Sequence, residues 1–111
     1  MAVTIRDAYT GQLAAAAAAL YTVPAGARSR IIKCTVTNDT TTVVTFTLYK
    51  VPSGGAADAT TMNINAKSLG SRQSYTCPEM VGHAMDPSDV IYGFASAADQ
   101  VTIMISVAEV T

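Results

Sequence analysis

Between Leu20 and Gly55 the chain alternates, residue by residue, between side chains that avoid water and side chains that tolerate it. Ile32, Cys34 and Val36 are interleaved with Lys33, Thr35 and Thr37, and Val44, Phe46 and Leu48 with Thr45, Thr47 and Tyr49. A period of two sends successive side chains to opposite faces of a pleated strand, so each run can bury one face only. The Asn38-Asp39-Thr40 segment between the runs tolerates turn geometry, and the pair is expected to form a hairpin of two half-buried strands. This region holds almost no groups suited to catalysis, which points to a scaffold or an adhesive surface.

Further runs of the same kind follow. Met62, Ile64 and Ala66 alternate with Asn63, Asn65 and Lys67, and Val101, Ile103, Ile105 and Val107 close the pattern. Val90, Tyr92 and Phe94 alternate with Ile91, Gly93 and Ala95. Turn residues punctuate them: Pro24-Ala25-Gly26, Pro52-Ser53-Gly54-Gly55, Gly70, Pro78, Asp86-Pro87-Ser88-Asp89 and Ala98-Asp99-Gln100. About seven or eight short strands at this spacing predict an all-β fold, a jelly-roll-like antiparallel β-sandwich over residues 20–111. Residues 1–19 have a different texture, ending in the low-complexity run Ala14 to Ala19. Alanine favours a short helix, an isolated helix of that length is marginal, and an extended segment is an equal alternative. This stretch is expected to be an N-terminal arm that reaches a neighbouring subunit.

Charge is the compositional outlier. Only 14% of the 111 residues are charged, against about 25% in a typical soluble domain. With a net charge of −1, self-repulsion does little to keep copies apart. A β domain so poorly protected against association is expected to have much of its surface covered in an assembly. Seven basic residues are scattered and offset by eight acids, so nucleic-acid binding is not expected. The apolar run from Leu13 to Leu20 is far shorter than the roughly 20 residues a bilayer span needs, and Arg6 is cancelled by Asp7, so neither a membrane segment nor a leader is expected. Cys34 and Cys77 lack the density of a disulfide framework and are read as buried thiols, although a pairing between them stays open.

No constellation for chemistry emerges. His83 is the sole histidine, too few for a zinc site of imidazoles, and no Gly-x-Ser-x-Gly elbow frames a serine that it could activate in a triad. Asp86 and Asp89 flank Pro87-Ser88, where carboxylates stabilise turns through nearby N–H groups. Asn38-Asp39-Thr40 matches a glycosylation acceptor, but a turn accounts for the same residues. The expectation is a protein that is not an enzyme and has no metal or cofactor. Arg28, Arg30 and Lys33 form the one local basic concentration, readable as a solvated strand edge or as a contact for an acidic partner patch. With Tyr9, Leu13 and Leu20 around the arm, they are the candidate partner contacts.

Leu20-Tyr21-Thr22-Val23-Pro24-Ala25-Gly26, Ile31-Ile32-Lys33 and Thr35-Val36-Thr37-Asn38 resemble small structural proteins of tailed bacteriophage virions. Val43 to Tyr49, Val51-Pro52-Ser53-Gly54-Gly55 and Met80-Val81-Gly82-His83 fit the same likeness, which covers about residues 18 to 110. Among such proteins the chain looks most like the capsid decoration, cement or staple proteins of short-tailed phages. That resemblance implies a place on the outer capsid surface after assembly in the host cytoplasm. It implies the major capsid protein as partner, alongside self-association as a homodimer or other small oligomer. A tail, neck or fibre-base component is the alternative, and a carbohydrate-binding adhesion module a more distant one.

Overall fold

The computed structural model describes residues 2–111, and none of them is helical. Nine strands form among the described residues: β1 (Val3–Gln12), β2 (Ala18–Thr22), β3 (Arg28–Asn38), β4 (Val44–Val51), β5 (Met62–Leu69), β6 (Ser74–Tyr75), β7 (Ala84–Met85), β8 (Val90–Ala95) and β9 (Val101–Val110). The first sheet has the order β1-β9-β3-β6, with β7 also paired to β3, and the second the order β2-β8-β4-β5. All pairings are antiparallel, and one set of them nests: β4 with β5, β3 with β6 and β7, β2 with β8, and β1 with β9, while β3 with β9 and β4 with β8 join these pairs into sheets. A chain doubled back on itself and wound in this way is a jelly roll, so the expected sandwich is the fold that forms. β6 and β7 are two-residue pieces sharing one lane beside β3.

The core lies between the sheets. Val101, Ile103, Ile105 and Val107 of β9 are fully buried, as are Cys34 and Val36 of β3, and they meet Phe46, Leu48 and Ile91 of the second sheet. Val44, Leu69 and Met80 complete the same cluster. The alternation read from the sequence in β9 and β4 therefore marks the faces that lose contact with water, which is the main source of stability in a two-layer fold.

Four expectations fail, each for an identifiable reason. β3 and β4 are not a hairpin, because β3 belongs to the first sheet and β4 to the second. Asn38-Asp39-Thr40 begins a crossover between layers, and Asn38 is fully buried. Second, the register of β3 against β9 slips between Ile31 and Lys33. This bulge inserts one extra residue, so Ile31 points inward while Ile32 and Lys33 both stay outside. Third, β8 presents Ile91, Gly93 and Ala95 to the core and leaves Val90, Tyr92 and Phe94 half-buried on the other side. A methyl group on Gly93 would sit 2.7 Å from Leu48 Cδ2 and 3.1 Å from Leu20 Cδ1, so the leucines fill the space that a side chain would take.

The fourth concerns residues 1–19, whose described part takes the extended alternative rather than the helix but forms part of the sandwich instead of a free arm. β1 pairs with β9 from Val3 to Gln12 and forms the edge of the first sheet. Leu13 is fully buried, its N–H donates to the Val101 carbonyl at 2.8 Å, and its own carbonyl accepts from the Asp99 N–H. Ala14 to Ala17 carry the chain to the second sheet, and Ala18 and Ala19 already belong to β2. Six alanines offer a helix no apolar stripe to bury, so pairing with β8 outweighs their intrinsic propensity.

Candidate interaction surface

The outward face of the first sheet gathers the basic residues singled out by the sequence. Register across β1, β9 and β3 makes rows of neighbours: Val3, Val110 and Arg28, then Ile5, Ala108 and Arg30, then Asp7, Ser106 and Lys33, then Thr10, Met104 and Thr35. Arg28, Arg30 and Lys33 thus form one column, and the bulge keeps Lys33 in it. Arg28 lies 4.0 Å from Asp86, with both side chains well exposed, a geometry worth little in water. Among the described residues, neither Arg30 nor Lys33 has a carboxylate within that distance.

Beside the column is a depression of about 360 Å³ lined by Ile32, Lys33, Thr76, Pro78 and Val81. It exists because the β6 and β7 lane is interrupted. Cys77 adopts a left-handed conformation with φ 47°, and the chain turns outward through Pro78 to Gly82 before the Gly82 N–H returns to the Ile31 carbonyl at 2.7 Å. Ile32 and Val81 are exposed apolar residues at this place.

The other candidate contacts are not brought to this face. Leu13 is core, so it has no surface to offer a partner. Tyr9 pairs with Ile105 and packs half-buried against the core, as does Leu20 on the other sheet. In their place the face carries Val3, Ile5 and Met104, all more than half exposed. Their signal was present in Val3-Thr4-Ile5-Arg6, another period-two run.

One end of the sandwich is tied by buried polar groups. Tyr21 of β2 shares a hydrogen bond with the Ser29 hydroxyl at 2.6 Å and donates to the Glu109 carboxylate. Arg6 approaches the other oxygen of Glu109 at 3.4 Å. Burial first, and then the bond to Glu109, push the Tyr21 phenol from 10.0 up to about 12. Since the folded state holds this proton more tightly than the unfolded chain, its contribution is complete below about pH 10 and disappears as pH rises through about 12. Tyr75 is raised similarly by its bonds to Glu79. Tyr21→Phe should therefore cost about 1–3 kcal/mol at neutral pH. It should also flatten part of the alkaline loss of stability, which urea titrations at pH 8, 10 and 12 would show. An unchanged alkaline profile would mean that the phenol is not held as described.

The remaining candidates for chemistry stay apart. Among the described residues no three His, Cys, Asp or Glu side chains converge in a way that could hold a metal. His83 is exposed, with its carbonyl accepting from the Ile31 N–H. Cys34 and Cys77 are free and buried, and a hydrogen bond between them, followed by burial, pushes the Cys77 thiol upward, away from the thiolate a nucleophile requires. Asp89 works as a turn residue, accepting from the Asp86 N–H at 2.9 Å and the Ser53 N–H at 3.0 Å.

Comparison with known proteins shows no family for the chain. No family model matches the chain, and no curated protein matches it. A chain in a solved structure of infectious bursal disease virus, Gx strain, is similar in shape, with a TM-score of 0.47 and 14% identity. The alignment covers 97% of this chain and 31% of that one.

Proposed function

We propose that this chain is a structural protein of a tailed bacteriophage virion, seated on the outside of the capsid and clamping neighbouring coat subunits. The observation that supports it most is the outward face of the first sheet. There a basic column, in which Arg30 and Lys33 have no carboxylate within 4.0 Å among the described residues, runs beside an apolar depression and exposed Val3, Ile5 and Met104. A surface that mixes apolar contact with a few uncompensated cations suits a broad protein partner carrying an acidic patch. The jelly roll is an architecture that capsid and lectin domains share, and the sequence likeness to decoration proteins favours the first of these.

No chemistry is needed for such a role. A protein that binds only the assembled lattice stabilises it by its binding free energy, and many copies multiply that effect over the shell. Arg30→Glu combined with Lys33→Glu should weaken attachment to purified capsids about tenfold or more, with the largest difference at low salt. Both side chains are exposed, so thermal stability should not change. Unaltered occupancy would reject this face as the contact. Copy number tests the location: hundreds of copies per particle fit the shell, whereas about three to twelve fit the symmetry of a tail, neck or fibre base.

A further inference from the structure

We infer that β1 is the seam of a symmetric dimer, in which a second copy of the chain pairs antiparallel along its open edge with Ile5 on the twofold axis. The phase of the backbone hydrogen bonds carries the argument. Ala2 and Thr111 exchange both bonds, at 3.1 and 2.9 Å. In an antiparallel ladder such doubly bonded pairs recur at every second residue. The register between β1 and β9 is unbroken from Val3 to Asp7. Thr4 and Arg6 therefore turn their N–H and C=O groups toward β9, and Val3, Ile5 and Asp7 turn theirs away. Nothing among the described residues pairs with that side, since β1 ends the sheet.

The other strand edges are blunted. β2 has five residues and a register break between Ala19 and Tyr21. β5 has two breaks against β4, a left-handed Ala66 with φ 47°, and Lys67. β6 and β7 are fragments. β1 has its own register break, between Asp7 and Tyr9, but before it the edge from Val3 to Asp7 is regular, carries no proline or lysine, and exposes two apolar side chains, Val3 at 62% and Ile5 at 71%, beside the open groups. Unpaired backbone groups beside exposed apolar side chains are what a further strand recognises.

Symmetry and charge then fix the register. A twofold axis perpendicular to the sheet must pair outward-bonding residues with each other. An axis at Arg6 sets two guanidinium groups opposite each other, and an axis at Asp7 sets two carboxylates, both unfavourable. Axes at Val3 or Thr4 leave part of the edge unpaired. With the axis at Ile5, Val3 faces the partner's Asp7, Asp7 faces the partner's Val3, and every open group from Val3 to Asp7 is used. The two isoleucines meet on the outward face. The first sheets of the two copies become continuous, and their basic columns lie about 24 Å apart, five strand spacings. The inference does not depend on the proposed capsid role, because dimerisation is read in solution without capsids.

Ile5→Cys provides the test. Directly opposed residues of a bonded pair have Cα atoms about 5.5 Å apart, within the range a disulfide spans. Mild oxidation should link most Ile5→Cys chains into covalent dimers on non-reducing gels, while Val3→Cys alone and the unsubstituted protein should stay unlinked. Val3→Cys combined with Asp7→Cys should restore linkage. Ile5→Pro removes a donor that faces away from β9, so it should abolish the dimer in sedimentation experiments while a cooperative melt remains. A monomeric unsubstituted protein at high concentration, or linkage through Val3→Cys but not Ile5→Cys, would overturn the inference.

Discussion

A chain lacking residues 1–19 is expected to lose cooperative folding altogether. β1 covers one side of β9, the strand that contributes Val101, Ile103, Ile105 and Val107 to the core. Without it β9 becomes an edge with its backbone groups open along ten residues. The deletion also removes Leu13, which is fully buried, and truncating a buried leucine alone costs about 2–5 kcal/mol. Half-buried Ala8 and Tyr9 go with it, as do the first residues of β2. Domains of this size have a total stability of about 5–15 kcal/mol, so these losses together exceed what is available. Circular dichroism melts and amide dispersion in NMR spectra would measure the outcome. A sharp, reversible melt of the shortened chain would show that this segment is a dispensable arm after all.

The same segment shows where the sequence was legible and where it was not. Burial of one face leaves a direct trace in composition, so the strands around Val36, Phe46, Ile64 and Ile105 could be located, along with the turn at Asp86 to Asp89. Which sheet each strand joins leaves no such trace, because β3 and β4 look alike whether they pair or cross between layers. A bulge is equally silent. Moving the inward residue from Ile32 to Ile31 needs one extra residue, which depends on how β9 and the Gly82 to His83 segment bond to the backbone. In β8 the local pattern misleads, since the bulky residues face out to make room for Leu48, Leu20 and Leu13 around Gly93. Of the proposed surface, the basic column was visible as Arg28, Arg30 and Lys33. Its apolar half left only the period-two run Val3-Thr4-Ile5-Arg6 as a trace, because Val3, Ile5, Met104 and Val81 come together only through pairing of distant strands.

Asn38→Asp should destabilise the protein by about 3 kcal/mol or more at neutral pH, although the two side chains have nearly the same shape. The Asn38 amide Nδ2 lies within hydrogen-bonding distance of three carbonyls, those of Thr42 at 2.7 Å, Gly70 at 3.0 Å and Leu69 at 3.3 Å. Its Oδ1 accepts from the Thr40 N–H at 2.9 Å and the Thr40 hydroxyl at 2.7 Å. One fully buried amide thus joins the crossover after β3 to the connection after β5 and satisfies polar groups that water cannot reach. A carboxylate in the same place still accepts from Thr40, but it turns a second negative oxygen toward the three carbonyls. For a domain of about 100 residues the loss corresponds to a fall in melting temperature of roughly 12–20 °C. Burial and the facing carbonyls raise the pKa of the introduced carboxyl above its unfolded value, so the variant binds a proton more tightly when folded. The penalty should therefore shrink as pH falls from 7 towards 4, because the protonated acid can donate to one carbonyl again. Asp39→Asn, at the exposed next position where the carboxylate accepts from Gln12 at 3.3 Å, should change stability by less than about 0.5 kcal/mol. Equal effects at the two positions, or a penalty for Asn38→Asp that does not depend on pH, would show that this amide does not join the two connections.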